Sequence, residues 1–475
     1  MNRFIGRENE LKRLSECTQK STASFLVIKG RRRIGKSRLA EEFSKQFEKY
    51  YCFVGLAPDE KTTAENQLTE FSRQISRNFN TPLAHYQDWS DALWAVGEKV
   101  QTGKVLLFFD EISWMGSKDP TFLAKIKNFW DLYLKKNGQL IFIVCGSASA
   151  WIEKNILSST GFIGRISFTL TLRELPLEDC NIFWPPNIST YEKLKLLSVT
   201  GGIPKYLEEM NTKLSAEENI KKLCFTEGGL LVREFEQIFS DIFLRDSHIY
   251  KKIITILAKG SKEQSEIQKE LNLKTLGRIP EYLAELELAG FIARDRSWSI
   301  KTGVDSKLSK YRLQDNYLRF YLKYIEKSLG KINRGNYVLK SLSSLPEWYA
   351  VTGFQFENLI LNNRKSIHHL LGINPVDIIC ENPYFQKQTY RYPGCQIDYM
   401  IQTRFDTLYV CEIKFSKNPV DFAVVKEVQT KIDALQYAKR FSCRPVLIHV
   451  NGVDERILES DYFAAIIDVN DLFHS

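Results

Sequence analysis

Residues 25–37 read FLVIKGRRRIGKS, and no other stretch restricts the fold of this chain as sharply. The apolar run 25–28 predicts a buried strand. It leads into Gly30-x-x-x-x-Gly35-Lys36-Ser37 and then into a helical pattern, SRLAEEFSKQF. Strand, glycine loop and helix in that order make a phosphate cradle. The glycines let backbone N–H groups turn inward, and the helix offers its positive N-terminal end to the same anion. In such a cradle Lys36 reaches the β- and γ-phosphates of ATP, and the Ser37 hydroxyl holds Mg²⁺. Gly30, Arg31, Arg32, Arg33, Ile34, Gly35, Lys36, Ser37 and Arg38 are therefore the candidate nucleotide contacts of this segment.

The partner of that loop is the run VLLFFDE at 105–111. An apolar strand ending in Asp-Glu suits a buried parallel strand with carboxylates at the metal side. Asp110 is the candidate Mg²⁺ ligand, and Glu111 the candidate base that orients and activates the attacking water. A third apolar strand, 140–145, is followed by Gly146-Ser147-Ala148-Ser149. Polar groups at the end of such a strand sit at the rim of the nucleotide crevice. Ser147 is either a γ-phosphate sensor or a polar turn residue.

The remaining length demands more than one core. At roughly 150 residues per domain, 475 residues make about three domains. With 44% hydrophobic and 26% charged residues, the disordered, collagenous and coiled-coil classes drop out. A net charge of +9 permits a nucleic-acid partner without demanding one. The nine cysteines are scattered, with no Cys-x-x-Cys pair, which argues against a disulfide framework or zinc ribbon and for a reducing compartment. The opening MNRFIGRENE lacks a signal-peptide layout, and no apolar run approaches the ~18 residues of a membrane helix. The expectation is a cytoplasmic protein without a membrane partner.

Residues 170–245 read as helices with polar breaks, and 248–313 as two short helices, a longer one ending at Gly290, and two strands. That order is the order of a winged helix–turn–helix, whose third helix enters the DNA major groove. Its exposed face would carry Lys274, Arg278, Glu281 and Glu285, a mixed rather than basic set. DNA binding and a packing role both remain open for this segment.

Residues 353–361 read as a helix containing Glu357. QIDYMIQT at 396–403, a short polar turn and LYVCEIKFS predict a hairpin. Glu412 and Lys414 stand two apart and so share a face, with Asp398 on the paired strand 14 positions before Glu412. Two carboxylates on one face with a lysine beside them form a metal site with a water activator. Gln396 is placed to point into it, and a helix over 426–438, with Lys426, Gln429 and Lys431, to supply phosphate contacts.

Two resemblances extend these readings. Phe4-Ile5-Gly6-Arg7-Glu8-Asn9-Glu10 resembles the box of STAND-type ATPases, the signal-transduction branch of the AAA+ class. The resemblance implies that Gly6 and Arg7 line the adenine side of the pocket. Gly201-Gly202-Ile203-Pro204 resembles the same family's Gly-Gly-x-Pro motif, which implies that Pro204 closes over the base. With Cys-Gly-Ser-Ala at 145–148 and Asp-Asn-Tyr-Leu-Arg-Phe at 315–320, the layout is similar to prokaryotic archaeal-type ATPases over almost the full length. GSASAW stands where many STAND proteins carry a Thr-Thr-Arg sensor, and the hinge has Asn316 and Tyr317 in place of Pro and Phe. Arg165 is then either a γ-phosphate sensor or trans-acting finger, or a structural surface arginine.

The C-terminal hairpin resembles the core of PD-(D/E)xK nucleases. The resemblance maps the family's motif onto Asp398, Glu412 and Lys414, with a helical acid at Glu357. Asp398 and Glu412 would hold Mg²⁺ or Mn²⁺, and Lys414 would position water and stabilise developing charge. The expected fold class is α/β: a P-loop AAA+ parallel sheet over 1–170, a helical lid over 171–245, a winged helix–turn–helix over 246–330 and a restriction-endonuclease-like α/β domain over 340–475. Three functions fit: an ATP-controlled nuclease acting on DNA, in defence by analogy with STAND proteins; an ATP-dependent switch whose C-terminal domain binds without cutting; and a DNA-binding motor. Nucleotide-dependent self-assembly is a further expectation from the family.

Overall fold

The computed structural model describes residues 4–57, 59, 61–242, 247–272 and 277–474. They form two compact units, one running to Arg173 and the other taking in Glu174–Phe239 and the chain from residue 247 onward.

The first unit is built on five strands: β1 (Ser24–Lys29), β2 (Lys49–Val54), β3 (Val105–Asp110), β4 (Ile141–Gly146) and β5 (Ile166–Thr171). Their order is β2-β3-β4-β1-β5 and every pairing is parallel. β1, β3 and β4 are buried at all six positions, whereas β2 and β5 are partly exposed. Centre and edge account for this difference, because a central parallel strand is covered on both faces. One face packs Phe25, Phe109 and Phe142 against helices Ala64–Phe79, Trp89–Lys99 and Phe122–Leu132. Because β4 lies between β3 and β1, the carboxyl ends of all three strands open side by side, where α/β sheets bind ligands.

In the second unit, helices Leu177–Asn181, Thr190–Thr200, Pro204–Glu208 and Ala216–Cys224 come first. Helices Ser247–Leu257, Gln264–Leu271 and Ile279–Leu288 then precede a hairpin of β6 (Ile292–Ser299) and β7 (Val304–Leu313). Lys274 lies outside the described residues. On the third of these helices Glu281 pairs with Arg278, and Glu285 accepts a hydrogen bond from the Tyr250 hydroxyl, so its outer face is not basic.

The hairpin tip does not stand free. Trp298 is buried; its indole N–H donates to Gln402 Oε1 at 2.6 Å, and Gln402 Nε2 donates to the Ile300 carbonyl at 2.8 Å. Ser297 Oγ donates to the Phe385 carbonyl at 2.7 Å. Gln402 and Phe385 belong to a C-terminal sheet of β8 (Ile378–Gln386), β9 (Cys395–Thr403), β10 (Thr407–Lys414), β11 (Ser442–His449) and β12 (Ala465–Asp468). Its order is β12-β11-β10-β9-β8, antiparallel from β8 to β10 and parallel from β10 to β12.

Alternation along these strands gives the sheet two apolar faces. Tyr399, Ile401, Cys411 and Ile413 pack towards helix Trp348–Asn362. Met400, Leu408 and Val410 pack towards helix Ala423–Ala434 and the tip residues Trp298 and Ile300. That second helix ends earlier than its pattern predicts, because Leu435 adopts an extended conformation and enters the core.

A buried ion pair within the hairpin is linked by Arg312 to Asn358 of helix Trp348–Asn362. Arg312 donates to Asp295 at 2.8 and 3.2 Å and also bonds Asn358 Oδ1. Asp295→Ala leaves Arg312 buried with one partner gone, and should destabilise the fold by about 3–5 kcal/mol in urea denaturation.

Candidate functional site

The nucleotide loop takes the shape its glycines allow. Gly30 and Gly35 have φ of 154° and 93°, and a Cβ on Gly30 would come within 2.6 Å of the Leu172 carbonyl. Helix Lys36–Ser44 starts directly after Gly35, so its free N–H groups face the loop. Lys36 is buried, and its ammonium donates to the carbonyls of Gly30 at 3.0 Å and Arg31 at 3.2 Å and to Ser147 Oγ at 2.8 Å. The Ser147 hydroxyl in turn donates to Glu111 Oε1 at 2.6 Å, while its backbone N–H donates to Oε2 at 3.0 Å. Lys36, Ser147 and Glu111 thus form one chain across the ends of β1, β4 and β3.

Ser37 Oγ donates to Asp110 Oδ2 at 2.5 Å, and Asp110 Oδ1 accepts from the Cys145 thiol at 2.8 Å. Burial, with the charge of Asp110 added, keeps that thiol protonated. A hydroxyl and a carboxylate side by side are the hard oxygen donors that suit Mg²⁺. Glu111 has φ of 51°, a strained setting for a non-glycine residue and common where geometry serves chemistry.

Arg7 braces the loop from outside. Its Nη2 donates to the carbonyls of Ile34 at 3.2 Å and Arg173 at 2.6 Å, and its Nη1 bonds Glu10 at 3.0 Å. Gly6 and Arg7 both have positive φ, which turns the box into the helix Glu8–Cys17. Arg31 is buried and Arg32, Arg33 and Arg38 are half-buried. Arg165 makes a two-pronged bond to Asp131, Nε to Oδ1 at 3.0 Å and Nη2 to Oδ2 at 2.8 Å. That hydrogen bond is the main reason the Asp131 carboxyl is held down at about 2. Pro204 belongs to the second unit, where it opens helix Pro204–Glu208.

The second unit gathers the other candidate residues. The β9–β10 ladder runs from Thr407–Thr403 to Cys411–Tyr399. Beyond it Asp398 Oδ2 accepts the Ile413 N–H at 2.9 Å, so a side chain takes the donor as the strands part. Glu412 is buried, with Oε1 at 3.0 Å from the Lys414 ammonium and Oε2 at 2.5 Å from that of Lys431. Lys431 also stands 3.9 Å from Asp398, and Lys414 bonds Glu427 at 2.8 Å. Burial opposes the Lys414 charge, but Glu427 and Glu412 outweigh it and raise its pKa. Gln396 is exposed and lines a neighbouring cavity with Lys310 and Lys387.

Burial, and next the charge of Glu412, push Asp398 up to about 6. Burial, and next the charge of Asp398, push Glu357 up to about 7 against the pull of Arg312 and Arg319. Asp398 and Glu412 are thus neighbouring carboxylates, with Lys431 reaching both and Lys414 on Glu412. Among the described residues no three His, Cys, Asp or Glu side chains converge on a metal position. Asp398 and Glu412 fit the sparser demand of Mg²⁺, which takes one or two carboxylates and completes its shell with water and phosphate.

The sign of the Glu357 shift gives a test. Its folded pKa lies above the ordinary 4.5, so the stability it contributes is fully present below that value and lost as pH rises through about 7. In chelator-treated protein, Glu357→Gln should therefore raise stability by roughly 1–3 kcal/mol at about pH 8 and leave it unchanged at about pH 4.

Asp131 was hidden in the sequence: no motif surrounds it, and it meets Arg165 only through tertiary packing. Glu427 was readable, because it stands four before Lys431 on one helix and so shares its face.

Comparison with known proteins adds the following. Residues 4–210 match the family described as an ATPase domain predominantly from Archaea. The chain is 28% identical over 356 residues to the uncharacterised protein MJECL04 of Methanocaldococcus jannaschii, covering 75% of this chain and 76% of that one. Among solved structures, the Walker-type ATPase PABY2304 of Pyrococcus abyssi aligns with a TM-score of 0.49 and 17% identity, over 67% of this chain and 96% of that one. The ORC2 protein of Aeropyrum pernix in ADPNP–ADP complexes aligns with a TM-score of 0.42 and 14% identity, over 69% and 96%.

Proposed function

We propose that this chain, whose residues 4–210 are an archaeal-type ATPase domain, hydrolyses ATP and uses that turnover to control metal-dependent cleavage of nucleic acid, DNA foremost. The observation that carries the second half is the convergence of Asp398, Glu412 and Lys414 where β9 and β10 part.

At the ATPase site, Lys36 and the N–H groups after Gly35 hold the phosphates. Glu111 takes the proton of the attacking water, and Ser147 fixes the orientation of its carboxylate. Arg7 keeps the loop in register, with Gly6, Arg31, Arg32, Arg33, Ile34 and Arg38 around the nucleotide. Ser37 and Asp110 at one site, and Asp398 and Glu412 at the other, would hold Mg²⁺, which would supply polarisation of the phosphate oxygens. At the second site Lys414 orients water and stabilises the charge that develops on phosphate, while Glu357 shares a proton with the cluster. Lys431 neutralises Glu412 and contacts the backbone of the substrate.

The domain plan of the proposal is an ATPase core to residue 170, a lid to 245, a winged-helix module to 330 and a nuclease-like domain from 340. The winged-helix module serves packing, because its third helix is not basic and its hairpin tip is docked. STAND-type self-assembly with ATP and a role in defence complete the reading. A second reading, binding without cutting, has one observation in its favour: both oxygens of Glu412 are held by lysines.

Cleavage of supercoiled plasmid and single-stranded DNA with Mg²⁺ or Mn²⁺, with and without ATP, separates the two. Cutting that disappears in Asp398→Asn supports the nuclease. ATP turnover and DNA retention without cutting supports the second reading.

A further inference from the structure

A cavity of about 650 Å³ opens in the second unit between residues 181–193 and the C-terminal residues 470–474. Its size is that of a small-molecule site, about 300–1,000 Å³. Trp184 and Ile188 form an apolar wall, and Lys193, Asn187 and Ser189 lie on the polar side. None of these residues belongs to the ATPase site or to the carboxylate cluster.

Lys193 sets the chemistry. It is 5% exposed, yet its ammonium donates only to a neutral group, Asn181 Oδ1 at 2.8 Å, and lies 5.7 Å from the Phe473 ring centre. Among the described residues no carboxylate pairs with it. A buried ammonium without a counter-charge is costly, and burial accordingly lowers its pKa. It stands in the first turn of helix Thr190–Thr200, whose N-cap is Ser189, so the positive end of the helix adds to its field. Among the described residues the polar side of the cavity therefore holds no anion to meet Lys193, while Trp184 lines the same cavity.

We propose that this cavity binds a small anion with a planar apolar part, its charged group on Lys193 and its plane against Trp184. Phosphate on a mononucleotide and carboxylate on an aromatic acid are the two sources of that chemistry. The occupant bridges the helical segment and the end of the sheet, which touch here through Thr190 Oγ1 and Asn470 Oδ1 at 2.7 Å.

The test is isothermal titration of the full chain carrying Lys36→Ala, which disables the phosphate loop, with AMP, naphthoate and inorganic phosphate. The expected result is a Kd below about 1 mM for AMP or naphthoate, weakened at least about tenfold by adding Lys193→Met. AMP alone identifies the phosphate source, and naphthoate alone the carboxylate source. Inorganic phosphate, without a plane, should bind more weakly than the better of the two. Absence of binding by both, or an affinity unchanged by Lys193→Met, overturns the proposal. Lys193→Met keeps the length of the stem and removes a buried charge; should it fail to fold, Trp184→Ala on the half-buried wall must produce the same loss, and an unchanged affinity there overturns the proposal equally.

Discussion

Glu111→Gln leaves ATP bound and slows its hydrolysis by about 10²–10⁴-fold. The substitution is nearly isosteric, and its amide oxygen can still accept the Ser147 N–H that now meets Oε2 at 3.0 Å. The loop, Lys36 and Asp110 are untouched, so the phosphates keep their partners. What is lost is the ability to take a proton from water. Lys36→Ala should behave differently, because Lys36 is the buried cation at the centre of the loop: binding and hydrolysis fall together. Phosphate release and binding of a fluorescent ATP analogue, measured on both variants, distinguish the two losses. Hydrolysis at the parent rate by Glu111→Gln would move the base elsewhere.

Lys414→Ala and Asp398→Asn should each reduce DNA cleavage by about 10²–10³-fold while ATP turnover persists. Lys414→Ala leaves Glu412 still bonded to Lys431, so the cluster should stay folded and lose only the group proposed to steady developing charge. Asp398→Asn keeps an oxygen for the Ile413 N–H and removes one of the two carboxylates proposed to hold the metal. Plasmid cleavage and thermal melting on the same samples test this. Loss of cutting without loss of melting temperature is the expected pair of results, and cutting at the parent rate in either variant would refute the assigned roles.

The nucleotide loop and the Asp110-Glu111 strand were legible because their information is local. Glycine spacing, an apolar run and a following helix fix a cradle within a dozen residues, and the strands appear where those runs stand. The β9–β10 hairpin was legible for the same reason, through period-2 alternation and a polar turn. Strand order was not, because nothing in the run 140–145 says that it inserts between the strand before the glycine loop and the strand that ends in Asp110-Glu111. That insertion brings Ser147 to both Lys36 and Glu111. The docking of Trp298 was equally hidden. As a sequence, RDRSWSIKT reads as one strand of a two-stranded wing, and nothing in it announces the distant partner Gln402 that holds the indole.

That docking makes the hairpin tip and the C-terminal sheet a single cooperative block. A fragment cut at residue 340 would retain β8–β12 yet lose Trp298 and Ile300 from their shared core. Gln402, 3% exposed, would lose both of its side-chain partners and face the gap. The sheet that carries Asp398 and Glu412 is therefore completed by residues lying about a hundred positions upstream in sequence. Opening of β6–β7 should therefore be coupled to opening of β8–β9, and a fragment beginning at residue 340 should be less stable than the same sheet in the full chain.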